Sequence, residues 1–200
     1  MAELSYEVIR ERLQSMLSPE RYIHSLGVSA AAGELAARHG GDIEKAQLAG
    51  LLHDCGKSPS NNILLNRVLE FGIVMDEVER VETGLLHGPV SAQLAQGIFG
   101  IEDEEVLLAI RYHTTGRVPM SLLEKIIYLA DYVEPQRSFP GVDELRELAN
   151  QNLTAALVQA MDHTLIHVME RGLLIHPRTV AARNWLLGEI RAAEAADQNG

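Results

Sequence analysis

Apolar residues recur along the chain at three- and four-residue spacing, and the alternation of a half-buried strand is almost absent. That pattern predicts an all-α fold. Ser5 to Leu17 is amphipathic, with Val8, Ile9, Leu13, Met16 and Leu17 on one side. Ser18-Pro19-Glu20 then supplies a cap, a proline at the first helical position and an acid in the first turn of a second helix. It should run to about His39 and stop at Gly40-Gly41. Asp42 can cap a third helix, which carries Leu48, Leu51 and Leu52 into the pair His53-Asp54. Shorter helices are expected near Ile63–Phe71 and Asp76–Leu86. Gly88-Pro89 restarts the chain into a helix ending near Gly100, and Glu102 to His113 forms another that stops at Thr114-Thr115-Gly116. Ser121 and Glu124 make a capping box for a helix ended by Pro135. Further helices span about Asn152–Arg171 and run from about Thr179 into the polar tail AADQNG. With no repeat or low-complexity linker, the expected organisation is an N-terminal helix over 1–18, one domain over 19–190 and a polar tail over 191–200.

Composition narrows the function. Hydrophobic residues make up 46% of the chain but aromatics only 4%, so the core must be built from Leu, Ile, Val and Ala. The net charge of -11 argues against a nonspecific nucleic-acid binder, which needs a basic stripe. An anionic ligand would have to be met locally, by metal ions and a few Arg or Lys residues. Cys55 is the single cysteine, so no internal disulfide can form and a reducing compartment is expected. The start, MAELSYEVIRERLQ, has no basic region followed by an apolar run, so no signal peptide is expected. No stretch approaches the roughly 20 apolar residues of a membrane span. The expectation is a soluble cytoplasmic protein. The apolar residues of the first helix could pack on the bundle or on a partner, which leaves a homodimer open.

The chemistry concentrates in His24, His53-Asp54, His87, His113 and Asp131, each within or at the end of a different predicted helix. Divalent metals of the iron, manganese or zinc type take imidazole and carboxylate ligands readily. Six such ligands could hold two ions with a bridging carboxylate. Any one histidine is as readily a core or capping residue, and Gly56 with Lys57 after the HD pair could be a plain helix stop. The local context points the other way. Successive helical side chains diverge by about 100°, so His53 and Asp54 can grip a metal from adjacent sides. Asp131 lies in the apolar run IIYLADYV, where a charge is costly without a partner.

The ordered motifs RYIHSLGV, LAGLLHDCGK, LLHGPVSA, IRYHTTGR, LADYVEPQRSFPGVDELR and GLLIHPRTVAARN run from about Arg21 to Asn184. Together they resemble the HD-domain metal-dependent phosphohydrolase superfamily, and most closely its bacterial branch of YqeK-type symmetrical bis(5′-nucleosyl)-tetraphosphatases. The resemblance implies a helical HD-domain bundle with a metal site at its centre. It implies that His24, His53, Asp54 and Asp131 hold the core metal, with iron the expected ion, and that His87 and His113 complete a second position or touch phosphates. Asp54 and Lys57 would be catalytic. Arg21, Lys57 and Arg137 would meet phosphate charge, Thr114 would offer a hydroxyl, and Ile175 and His176 would lie against the nucleoside.

The implied reaction is attack of a metal-activated water on the central phosphoanhydride of diadenosine tetraphosphate, giving two ADP. The alternatives are another HD-type activity (a nucleotidase, or an alarmone or cyclic-dinucleotide hydrolase) and a noncatalytic nucleotide-sensing metal module. Cys55 as a nucleophile is a minor rival, since free cysteines are common core residues. His163 and His167, four apart on one helix, read as partly buried surface histidines without a carboxylate pattern. His39 reads as a cation at a helix end. The acidic run GIEDEEV reads as a solvated helix start, Asn61-Asn62 as a cap, and Met161 and Met169 as core filler.

Overall fold

Side-chain caps place most of the helix starts. Ser5, Ser18, Asp42, Asp76, Asp103, Ser121 and Asn152 each accept a backbone N–H from the first turn of their helix. The computed structural model describes residues 4–58 and 60–198. Its elements are α1 (Tyr6–Met16), α2 (Pro19–His39), α3 (Ile43–Leu52), α4 (Asn61–Glu70), α5 (Glu77–Val81), a 3₁₀ turn (Thr83–Leu86), α6 (His87–Phe99), α7 (Glu104–Tyr112), α8 (Leu122–Val133), α9 (Val142–Gln151), α10 (Leu153–Glu170) and α11 (Pro177–Asp197). Among the described residues there is no strand.

Helices α2, α3, α7 and α8 pack on one another at the centre, α6 lies against α7, and α10 joins α8 to α9 and α11. Val28, Leu51, Leu52, Ile110, Ile126, Ile127 and Leu129 are fully buried between them, giving the aliphatic core that the composition requires. Helix α1 adds Ile9 and Leu13 to that core, and its Arg12 donates to the Ile98 carbonyl at 3.0 Å.

The structure departs from the periodicity in four places. Asp76–Leu86 is not one helix: α5 starts on an Asp76–Glu79 capping box and breaks at Glu82, whose carboxylate accepts the N–H of Leu174 at 3.1 Å. Helix α9 has no side-chain cap and starts at Gly141 in the left-handed region (φ 87°), so its polar sequence gives little sign of it; only Val142, Leu145 and Ala149 are buried. Met169 is exposed, not core. Helix α11 continues through Asp197, because Glu194, Ala195 and Ala196 favour helix and no breaker intervenes. Residues 199–200 of the polar tail lie outside the described residues.

Two contacts brace the end of α8 and the start of α6. Arg146 on α9 donates to the carbonyls of Val133, Glu134 and Arg137 at 2.8–2.9 Å, fixing the chain just after α8. Gly88 lets the start of α6 reach the end of α7, since a Cβ there would sit 2.6 Å from the Arg111 carbonyl oxygen. Gly88→Ala therefore gains helix propensity but must displace backbone. A net destabilisation of about 1–3 kcal/mol is expected from overpacking, read as a lower urea midpoint.

Candidate metal centre

Three of the four imidazoles occupy the same local position. His53 follows α3, His87 follows the 3₁₀ turn, and His113 follows α7. Each folds back over the preceding turn and donates Nδ1–H to the carbonyl three residues earlier. His53 uses Gly50 (2.7 Å), His113 uses Ile110 (2.7 Å) and His87 uses Gly84. Carbonyls in a last helical turn have no partner within the helix, so the histidine satisfies one and is itself held. His24, inside α2, does the same with a side chain: its Nδ1 donates to Glu134 Oε1 at 3.1 Å. A carbonyl can only accept, so the proton is assigned to Nδ1 and the lone pair to Nε2.

The four Nε2 atoms face one spot, together with two carboxylates. Asp131 Oδ1 lies 3.1 Å from His24 Nε2 and 3.9 Å from His53 Nε2. Asp54 Oδ1 lies 3.1 Å from His87 Nε2 and 3.7 Å from His113 Nε2, and its Oδ2 lies 3.5 Å from His53 Nε2. The Nε2 atoms of His87 and His113 are 3.0 Å apart. His24 Nε2, His53 Nε2 and Asp54 Oδ1 are buried without any hydrogen-bond partner. Lone pairs and anionic oxygens at these distances repel unless positive charge lies among them. The donor set fits a divalent cation, and two triplets within it, His24-His53-Asp131 and His53-Asp54-His113, already hold ligand atoms within 4.8 Å of one another.

The electrostatics agree. Burial alone would raise the Asp54 carboxyl, but the adjacent imidazoles, His53 first and then His113 and His87, hold it well below its ordinary value. Burial would also raise Asp131, yet His24, His53 and Arg137 keep it low. Burial pushes His113 down to about 4, leaving its imidazole neutral at pH 7. For His53 burial acts downward too, but Asp54, Asp131 and the Gly50 carbonyl outweigh it and raise the pKa, the mark of a pocket that favours positive charge. Two ionised carboxylates among imidazoles match the charge of one divalent ion.

Three half-exposed cations stand at the rim. Arg21 Nη1 donates to Asp54 Oδ2 at 2.7 Å, and Arg137 donates to the Asp131 carboxylate at 2.6 Å and to its backbone carbonyl at 2.8 Å. Lys57 Nζ lies 3.2 Å from His87 Nε2 and 3.8 Å from Asp54 Oδ1, on the tight turn after His53. Thr114 lies beside His113 in the wall of an open cavity of about 540 Å³.

His176 has other partners. Its Nε2 donates to Asp76 at 2.9 Å while its Nδ1 accepts the Arg178 N–H and so caps α11. Asp76, Glu79 and His176 have ligand-like spacing, but the Arg178 guanidinium already contacts both carboxylates, at 3.2 and 3.1 Å. This group ties the segment after Gly172, Ile175 included, to α5; it does not join the six.

Sequence reasoning missed Glu134, which the clustering of EP after ADYV hides behind its look of a helix end. It also passed over the cavity wall: His163 is half-buried and His167 exposed, and both line the cavity with Tyr132 and Phe139. His39 donates to the Ala149 carbonyl at 2.7 Å, tying α2 to α9. Lys45 spans Asp103 and Glu105 of the acidic run. Ser60, not the asparagine pair, precedes α4. Cys55 is buried against Ser91, and burial pushes its thiol up to about 12. At pH 8 it is a neutral thiol, so native protein should resist iodoacetamide and react only after denaturation, as read by intact mass.

An all-helical bundle that gathers imidazoles and carboxylates from α2, the α3 turn, α6, α7 and α8 defines a metal-binding helical protein. The HD domain family model matches residues 21–136, and the chain belongs to that family, whose members bind divalent metal. It is 41% identical to the symmetrical bis(5′-nucleosyl)-tetraphosphatase of Bacillus subtilis, over 88% of this chain and 94% of the relative. The protein of the same description from Staphylococcus aureus is 36% identical, over 91% and 94%. A crystal structure of a predicted HD superfamily hydrolase involved in NAD metabolism, from Clostridium acetobutylicum, superposes with a TM-score of 0.89 at 44% identity, covering 94% of this chain and all of that one.

Proposed function

We propose that this protein is a symmetrical bis(5′-nucleosyl)-tetraphosphatase, cleaving diadenosine tetraphosphate with water into two ADP. The observation that carries the reading is the convergence of four Nε2 atoms, two of them buried without a partner, and two ionised carboxylates on one spot, with three cations at its rim, in a chain whose near relatives bear that description. His24, His53, Asp54 and Asp131 are assigned as the core ligands, with His87 and His113 at a second position or on the substrate phosphates. Iron is the metal we assign; manganese and zinc accept the same donors. Such an ion, when bound, lowers the pKa of a water and draws charge from phosphoryl oxygens.

The chain's own residues do the rest. Lys57 offers a compact charge beside His87 and Asp54, and Arg21 and Arg137 are planar donors suited to bidentate contact with phosphate. Each is anchored on a cluster carboxylate and half-exposed, so a polyphosphate arriving from solvent meets positive charge on three sides. These charges stabilise the negative charge that spreads over the transferred group and the leaving ADP oxygen. Water forms the new P–O bond, the central anhydride P–O bond breaks, and the released proton goes to solvent. Cys55 takes no part, being a buried neutral thiol. Ile175 and His176 are assigned to the nucleoside side of the site, on the segment that the Asp76–His176 contact holds in place. A nucleotide substrate fits a cytoplasmic protein, and no described helix is long and apolar enough to cross a membrane.

Incubated with diadenosine tetraphosphate and divalent metal, the protein should release ADP as the dominant product with little inorganic phosphate. Activity confined to nucleoside monophosphates would overturn the reading. His53→Ala and Asp54→Ala should each lower turnover by at least about a hundredfold, because ligand loss exceeds the 10–100-fold typical of outer partners. Glu134→Gln removes the charge behind His24 while keeping an acceptor. Metal affinity should fall by about 10–100-fold, measured as metal retained against a graded chelator, with helicity by circular dichroism unchanged.

A further inference from the structure

Two of the three rim cations are aimed by a close ion pair, and the third is not. Arg21 and Arg137 each hold a cluster carboxylate, at 2.7 and 2.6 Å. Lys57 Nζ lies 3.8 Å from Asp54 Oδ1, and its 3.2 Å contact is to His87 Nε2. That nitrogen is assigned to a metal or to phosphate, so it cannot also be the permanent anchor of the ammonium. A flexible four-carbon stem does not aim itself. Its direction must come from where the backbone places the lysine.

That backbone is docked on α6. Inside the turn, the Cys55 N–H donates to the Leu52 carbonyl at 3.1 Å and the Lys57 N–H to the Asp54 carbonyl at 2.9 Å. The Gly56 N–H points out of the turn and donates to Ser91 Oγ at 2.9 Å, while the Cys55 thiol donates to the Ser91 carbonyl at 3.4 Å. Ser91 is fully buried, and the two backbones touch, since a Cβ on Gly56 would sit 2.8 Å from Ser91 N. Ser91 follows His87 by four residues, so both lie on one face of α6. One turn of that face presents an imidazole to the cluster, and the next holds the residue before Lys57.

We propose that Ser91 is a positioning residue for the reaction: by holding the Gly56 N–H, its hydroxyl sets where the Lys57 ammonium stands relative to His87 and Asp54, and so aims that charge at phosphate. An alanine at 91 would fill nearly the same space, but only the hydroxyl reaches the N–H. Without it, Gly56 keeps a buried donor with no acceptor, and a shift of the turn is the way to regain one. The Asp54 carboxylate is held separately, by Arg21 at 2.7 Å and His87 at 3.1 Å, so the ligand array does not depend on Ser91. The proposal rests on the tetraphosphatase reading with Lys57 on phosphate, and its test separates the two.

The test is a double-mutant cycle of Ser91→Ala and Lys57→Ala on metal-loaded protein, read as kcat on diadenosine tetraphosphate and as calorimetric affinity for pyrophosphate. Ser91→Ala alone should lower kcat by about 10- to 100-fold, since a misplacement of about 1 Å can cost about 100-fold, and should weaken pyrophosphate. In the Lys57→Ala background the same change should cost less than about twofold in either readout, because residues that act through one another are not additive. Metal retained against a graded chelator should match wild type. Equal losses in both backgrounds, or a parallel fall in metal retention, would show that Ser91 supports only the fold or the ligands, and overturn the proposal. Wild-type behaviour of Ser91→Ala overturns it too. If Ser91→Ala folds poorly, Ser91→Cys fills the space with a weak acceptor and the same cycle decides. Normal release of ADP by wild type with an additive cycle sinks the positioning role and leaves the reaction standing. Failure of wild type to release ADP, with a non-additive cycle in pyrophosphate affinity, sinks the reaction and leaves the positioning role standing.

Discussion

The centre depends on one hydrogen bond made three times over, from an imidazole Nδ1–H to the carbonyl three residues behind it. Gly50, Gly84 and Ile110 supply those carbonyls, and each lies where a helical turn is running out of partners. A single contact thus ends a helix, fixes a tautomer and aims a lone pair. Glu134 repeats the arrangement for His24 with a carboxylate, and Gly27 makes room for it, since a Cβ there would lie 2.6 Å from Glu134 Oε2. The four imidazoles themselves come from separate elements, so the donor array exists only when five packed elements are in register. The cost of crowding like charges falls on the packing of α2, α3, α7 and α8.

The acidity of the chain takes on a different meaning beside this centre. A charge of -11 looks unsuited to a polyphosphate ligand. Yet the carboxylates that matter are inside, held ionised against their own burial, and the basic residues around them are half-exposed. Inward-facing negative groups gather at one point, where they demand a cation, and basic residues stand at its rim. Outside that point the chain keeps its excess of acidic residues.

The sequence carried the helices with strong caps or clean breakers, which is why Pro19–His39 and the Ser121–Glu124 box match the structure closely. It could not carry α9, whose start is a left-handed glycine and whose polar face hides three buried residues. The six metal-type residues were legible because costly groups at helix ends, in order, need a common explanation. Glu134 was not, because a buried carboxylate before a proline looks like a solvent-exposed helix end until α2 is packed against it. His163 and His167 are half-buried and exposed, as surface histidines should be, and the cavity they line is walled in part by Arg137, Phe139 and Pro140, from a segment with no periodicity.

That segment has a divided nature. Its stem is clamped by the three backbone acceptors of Arg146 and by the Gln136 N–H on Glu134, so the residues behind the metal cluster have no freedom to drift. Its tip, Ser138 to Pro140, bears none of those bonds. Substitutions of the side chains at the tip would therefore reshape the cavity wall while leaving the carboxylates and imidazoles of the cluster in place. A fold wired in this way lets the shape of a wall change separately from the array of donors beside it.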